Sequence, residues 1–158
     1  MTTALPFENG PYLLAAFICE KILEERDGVK SAIRIVDRVM RTVVGPSPPK
    51  EMEAFDYDLT LLIRMTSGMA RGPYTLEVRL VKPSGESPPP LMQTVHFEGE
   101  EDRGIDVVVG MRIKLDMTGV YWFQIRLDEV RLTQIPLRVI YIPQVRQIRG
   151  SSGPPPSA

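Results

Sequence analysis

The chain is poor in the residues that usually carry catalysis or bind metal. It has one cysteine, Cys19, and one histidine, His96. A lone cysteine excludes an intramolecular disulfide. That removes the usual staple of secreted sandwiches and suits a reducing compartment. One cysteine and one histidine also fall short of the ligand set a zinc site needs. Excess charge of one sign is missing as well. The formal net charge is -1 and the basic residues are dispersed, so no global field draws the chain toward nucleic acid or an anionic membrane. No stretch approaches the roughly 18 consecutive apolar residues of a membrane helix. The opening "MTTALPFENG" lacks the basic and apolar regions of a signal peptide. Gly-rich phosphate loops, nucleophile elbows and helical His-Glu patterns are absent from the sequence. These absences predict a non-enzymatic cytoplasmic protein with no cofactor, no nucleic-acid partner and no membrane span.

What the chain does have is alternation. Its 158 residues fit one domain with tails, and 43% hydrophobic with 25% charged content is ordinary for a globular protein. "YDLTLLIRM" sets Tyr57, Leu59, Leu61, Ile63 and Met65 on one face, and "YTLEVRLV" does the same with Tyr74, Leu76, Val78 and Leu80. "IDVVVGMRIKL" repeats the pattern from Ile105 to Leu115, and "LTQIPLRVIYI" from Ile135 to Tyr141. Pro136 cannot donate to a ladder, which predicts an edge or a bulge there. "PYLLAAFICEKILEE" is apolar enough for a helix or a strand. Asp27-Gly28 follows, with Ile33 and Ile35 alternating beyond it, and favours two strands joined by a tight turn. Prolines 46, 48 and 49 mark a loop, and "PSPPK" has the loose P-x-x-P form. About eight short strands separated by turn signals predict an all-β, immunoglobulin-like antiparallel β-sandwich without a disulfide. The expected boundaries are a tail over 1–9, the sandwich over 10–143, and a disordered Pro/Gly/Ser tail over 144–158.

"DMTGVYWFQI", Asp116 to Ile125, sharpens the fold. Tyr121, Phe123, Ile125 and Leu127 share one face; Trp122, Gln124 and Arg126 share the other. A tyrosine at the start of a late strand, with a small residue two before it, predicts the corner in which the hydroxyl bonds back to nearby backbone. Phe123 stands where antibody-type domains keep a core cysteine. Most of the chain, from Pro11 to about Val139, resembles the DUF6941 family of uncharacterised bacterial proteins. The resemblance rests on Cys19-Glu20 in an apolar first strand, Asp27-Gly28, Asp37-Arg38, and the Gly-x-Tyr strand leading through a hairpin into "IPLRV". It implies a compact bacterial β-sandwich and brings no activity with it.

Candidate functional residues are few. Cys19, in an apolar run, is expected to behave as a small hydrophobe, and His96, between Val95 and Phe97, as a partly exposed structural residue. The acidic loop of Glu98, Glu100, Glu101 and Asp102 offers oxygens for calcium, with Asp56 and Asp58 as further donors, but reads better as a solvated turn. Trp122, opposite the tyrosine face, is either core or an anchor for a partner. The arginines Arg64, Arg79, Arg126 and Arg138 are expected outward on a sheet, with Glu77 and Asp58 as cross-strand partners. The sequence therefore predicts a module that binds another protein, or a second copy of itself, with Trp122, Arg126 and Arg79 as partner-binding residues. A carbohydrate module, or a calcium- and lipid-binding one like a C2 domain, is the alternative.

Overall fold

The structure, a computed structural model, describes residues 8–147. Nine strands follow one another: β1 (Tyr12–Glu24), β2 (Lys30–Ile35), β3 (Arg38–Gly45), β4 (Phe55–Thr66), β5 (Arg71–Val81), β6 (Leu91–Glu98), β7 (Gly104–Leu115), β8 (Gly119–Leu127) and β9 (Val130–Val145). They form two sheets, ordered β2-β1-β4-β7 and β3-β9-β8-β5-β6. The apolar first segment is a strand and not a helix, and Gly28 takes the left-handed φ of +84° that its turn requires.

The core lies between the sheets, where alternation placed it. Leu59, Leu61, Ile63 and Met65 of β4 and Val107, Val109, Ile113 and Leu115 of β7 come from the first sheet. Leu76 and Val78 of β5, Tyr121, Phe123 and Ile125 of β8, and Leu137 and Val139 of β9 come from the second. Pairing departs from the antiparallel expectation once: β3 runs parallel to β9, from Arg38↔Arg138 to Gly45↔Val145. That pairing carries β9 two residues past the expected domain boundary. The remainder of the expected C-terminal tail, 148–158, and most of the N-terminal one, 1–7, fall outside the described residues. Pro136 satisfies its constraint locally. β3 covers β9 only from Arg138 onward, so at Pro136, opposite Trp122, β9 has β8 on one side and, among the described residues, no strand on the other.

The tyrosine corner is present. The Tyr121 hydroxyl accepts from the backbone N–H of Asp116 (3.1 Å) and of Met117 (3.2 Å), and donates to Asp116 Oδ1 at 3.0 Å. Asp116 Oδ2 in turn accepts from Lys82 Nζ at 2.8 Å. Lys82 thus ties the end of β5 to the β7–β8 turn. Its hydrogen bond is the main reason the Asp116 carboxyl is held below the usual carboxylate range, and burial pushes the Tyr121 phenol up. Gly119 is needed here. Its φ is +128°, and a Cβ would stand 2.9 Å from both Cβ and Cγ of Pro83.

β1 serves two partners in turn. Tyr12 to Cys19 pair with β4, and Cys19 to Glu24 pair with β2. Cys19 lies opposite Thr60, a neighbour of core-facing Leu61, so its side chain is on the outer face of the first sheet. It is nonetheless fully buried, and nearby Leu62 is buried as well. Lys30 of β2 explains the cover. Its Nζ lies 3.4 Å from Asp106 Oδ2 on β7, the opposite edge of the sheet. In a flat sheet three strand spacings of about 4.8 Å would separate those edges. The β1–β2 hairpin therefore leaves the sheet after Cys19 and folds back over its outer face.

Candidate functional site

The three residues singled out for partner binding meet on one surface, the outer face of the second sheet. Burial of Tyr121, Phe123 and Ile125 turns Trp122, Gln124 and Arg126 outward along β8. Register brings Arg79 opposite Gln124, and Val81 and Pro136 to either side of Trp122. Trp122 is half-buried among these neighbours, so its ring presents part of its surface to solvent. Arg79 Nε donates to Glu77 Oε1 at 3.0 Å and its side chain remains 39% exposed. Arg126 Nη2 donates to the Glu129 carbonyl at 2.6 Å, while its Nε is buried without a partner.

A two-residue turn stiffens this face. Asp128 and Glu129 both have positive φ, +45° and +68°, as a primed hairpin turn requires. Asp128 Oδ1 accepts from the Thr75 N–H at 2.8 Å, and its own N–H donates to the Thr75 carbonyl at 2.9 Å. The turn is docked onto β5, so the Arg126 end of the face is held by strands on both sides. A bulge between Ile125 and Arg126 marks where the hairpin closes. The sequence contained the alternation that turns Trp122 and Arg126 outward. It did not show the Asp128–Thr75 clamp, which depends on a contact across 53 residues of chain.

The four arginines expected on one sheet surface do not share it. Arg79, Arg126 and Arg138 belong to the second sheet, and Arg64 stands on the first, where it pairs with Asp106 at 3.4 Å. Asp58 likewise serves the first sheet, in a two-pronged bond with Arg112 at 2.7 and 2.9 Å. That guanidinium holds the Asp58 carboxyl below its ordinary range. Asp56 and Asp58 lie near the start of β4, whereas the acidic loop sits at its far end, beside Thr66. Within that loop Glu98 and Glu100 both reach Arg103 at 2.9 Å. Among the described residues no three His, Cys, Asp or Glu side chains converge as a metal site.

Cys19 and His96 are far apart in kind as well as position. The thiol, at 3.6 Å from the carbonyls of Lys21 and Thr60, is sealed beneath the β1–β2 hairpin, and burial pushes its pKa up. That disfavours the thiolate a nucleophile needs. His96 is exposed on β6, opposite the buried Val95 and Phe97. A cleft of 330 Å³ opens between the sheets beside β7, lined by Leu80, Leu91, Met111, Ile113 and Phe123 with Pro88 and Pro89 at its rim. No sequence motif pointed to it, since it exists only where the edges of the two sheets diverge.

Two sheets packed around one core, with a tyrosine corner and no disulfide, make this an immunoglobulin-like β-sandwich. The chain belongs to the family of unknown function DUF6941, whose model matches residues 14–140. No curated protein matches it. Among solved structures it is similar to the CARDB domain of the PF1109 protein from Pyrococcus furiosus, described in complex with di-metal ions. Identity there is 10%, the match covers 84% of this chain and 97% of that one, and the TM-score is 0.40. It is also similar to an immunoglobulin-like protein, PA1606, from Pseudomonas aeruginosa, at 14% identity, 79% and 96% coverage and a TM-score of 0.30.

Proposed function

We propose that this is a non-enzymatic bacterial binding module, cytoplasmic, that docks another protein through the outer face of its five-stranded sheet. The observation that carries the reading is the convergence of Trp122, Arg79 and Arg126 on one stiffened surface. Tryptophan and arginine are the side chains most enriched among residues that dominate binding energy. A half-buried indole needs little further ordering on contact, and the Arg79 side chain keeps 39% of its surface exposed beside it. An accessory or scaffold subunit of a larger assembly fits such a surface. The sealed thiol of Cys19 and the exposed, isolated His96 favour this over nucleophilic catalysis.

The test is capture from lysate of the native host with wild-type protein and with the double variant Trp122→Ala/Arg79→Glu, the bound polypeptides being identified by mass spectrometry. A partner retained by the wild type and lost by a variant that still unfolds cooperatively in urea is expected. Equal retention by both would remove this face from the interaction, and capture of nothing by the wild type would overturn the reading.

A further inference from the structure

We infer that the segment docking on the Trp122 face is acidic: a stretch of polypeptide that lays an apolar side chain on Trp122 and carboxylates on Arg138 to one side of it and on Arg126 and Arg131 to the other. The inference rests on the reading of this face as a docking surface and adds the chemistry of the partner.

The two sheets treat their arginines differently. Every arginine of the first sheet is matched by a carboxylate of the chain: Arg34 by Glu20, Arg64 by Asp106 and Arg112 by Asp58. On the second sheet Arg38 has Asp37 and Arg79 has Glu77. Arg126 reaches only a backbone carbonyl, and Arg131 and Arg138, both exposed, have no ion pair among the described residues. All 20 Asp and Glu residues fall within 8–147, so no acidic side chain of the chain is left over to reach them.

Register sets these arginines around Trp122. Val81, Trp122 and Pro136 stand side by side across β5, β8 and β9, an apolar row on the outer face. Two residues along β9, Arg138 projects outward between buried Leu137 and Val139, about 7 Å from that row at about 3.4 Å per residue. Four residues along β8 in the other direction, about 13 Å away, Arg126 stands directly opposite Arg131. Like charges directly opposite each other on a sheet cost stability. Glu77 lies on the other side of Arg126, but its carboxylate is bonded to Arg79. A carboxylate brought from outside would bridge the two guanidiniums and relieve their repulsion through charge-assisted hydrogen bonds. An extended segment laid along β8 meets this pattern with an acid, an apolar residue two positions on, and a second acid four beyond that. A nucleic-acid strand fits less well. It is charged at every residue and is held by successive stacking rings, whereas Trp122 is the one ring in these rows and the arginines stand apart on either side of it.

Selection of a phage-displayed library of random linear peptides on the full chain is expected to enrich sequences with acidic residues around an aromatic or aliphatic one. A synthetic peptide of the enriched sequence should bind in fluorescence anisotropy, and more weakly as salt is raised. Arg131→Glu/Arg138→Glu should weaken it roughly tenfold or more, because like charges then meet. Arg131→Lys/Arg138→Lys keeps the charge and should retain most of the binding. Both variants change exposed side chains, and cooperative unfolding in urea checks that each is folded. Neutral or basic peptides whose binding is lost with Trp122→Ala would overturn the acidic partner and leave the docking face standing. Acidic peptides bound equally by the wild type and by Trp122→Ala would remove the docking face, and the inference with it. No enrichment, an acidic peptide indifferent to Arg131→Glu/Arg138→Glu, or an oligothymidylate bound more tightly than the enriched peptide would each overturn the inference.

Discussion

β8 and the β1–β2 hairpin are both alternating strands, yet opposite forces hold them. β8 has a strand on each side, and Tyr121, Phe123, Ile125 and Leu127 are all fully buried. The hairpin has few buried side chains beyond Cys19 and leaves Leu23, Val29, Ile33 and Ile35 exposed. It is held over the first sheet by ladder bonds and by polar contacts, Lys30 to Asp106 at 3.4 Å and Thr60 Oγ1 to the Glu20 carbonyl at 3.3 Å. Burial is worth far more than exposed ion pairs. β8 should therefore share the global stability of the domain, and the hairpin should open alone.

The largest effect should come from the two faces of β8. Phe123→Ala removes a fully buried ring and is expected to cost about 3–5 kcal/mol through lost transfer energy and the cavity left behind. Trp122→Ala, on the half-buried outer face, should cost much less. Urea melts of the two variants measure this directly; equal midpoints would show that the outer face is packed as tightly as the core.

Tyr121→Phe sharpens the contrast within β8 itself. It keeps the ring but strips the acceptor from the Asp116 and Met117 N–H groups. A loss of roughly 1–3 kcal/mol is expected, the range for leaving buried polar groups without partners. If the melt does not move, water has taken over the corner.

The corner should also respond to acid. Asp116 has a depressed pKa in the folded chain, chiefly through Lys82, so it binds its proton less readily folded than unfolded. Its contribution is complete above the unfolded carboxyl value of about 3.9 and disappears as pH falls through the lower folded value. Asp116→Asn should flatten this part of the acid limb in a pH series of urea midpoints. Asp58, depressed by Arg112 on an exposed strand, adds to the same limb, so Asp58→Asn is the control for a pair outside the corner.

The smallest effect on global stability should come from the hairpin. Gly28→Ala forces a side chain into φ of +84°, a local strain of about 1–2 kcal/mol. Most of that loss should appear as faster local opening. Native-state hydrogen exchange should find the amides of Lys21 to Ser31 exchanging well before those of Tyr121 to Ile125. Uniform exchange across both regions would erase the comparison.

The inner faces of β4, β5, β7, β8 and β9 were legible in the sequence because a strand repeats every two residues, so each apolar set names its own side. The corner was legible too. Tyr121 and Gly119 lie within five residues of the backbone the hydroxyl binds, and short-range geometry leaves a local signature. Long-range relations left none. The parallel β3–β9 pair, the placement of Arg64 on a different sheet from Arg79 and Arg126, and the return of the hairpin over Cys19 join residues tens of positions apart. Alternation says which side chains share a face of one strand, and it is silent on which strands lie side by side. Cys19 shows the difference in one residue. The sequence determined that it would be an apolar, buried thiol. Only the tertiary structure decided that it would be buried outside the core, because the cover is a hairpin whose position is set by Lys30 meeting Asp106 across the sheet.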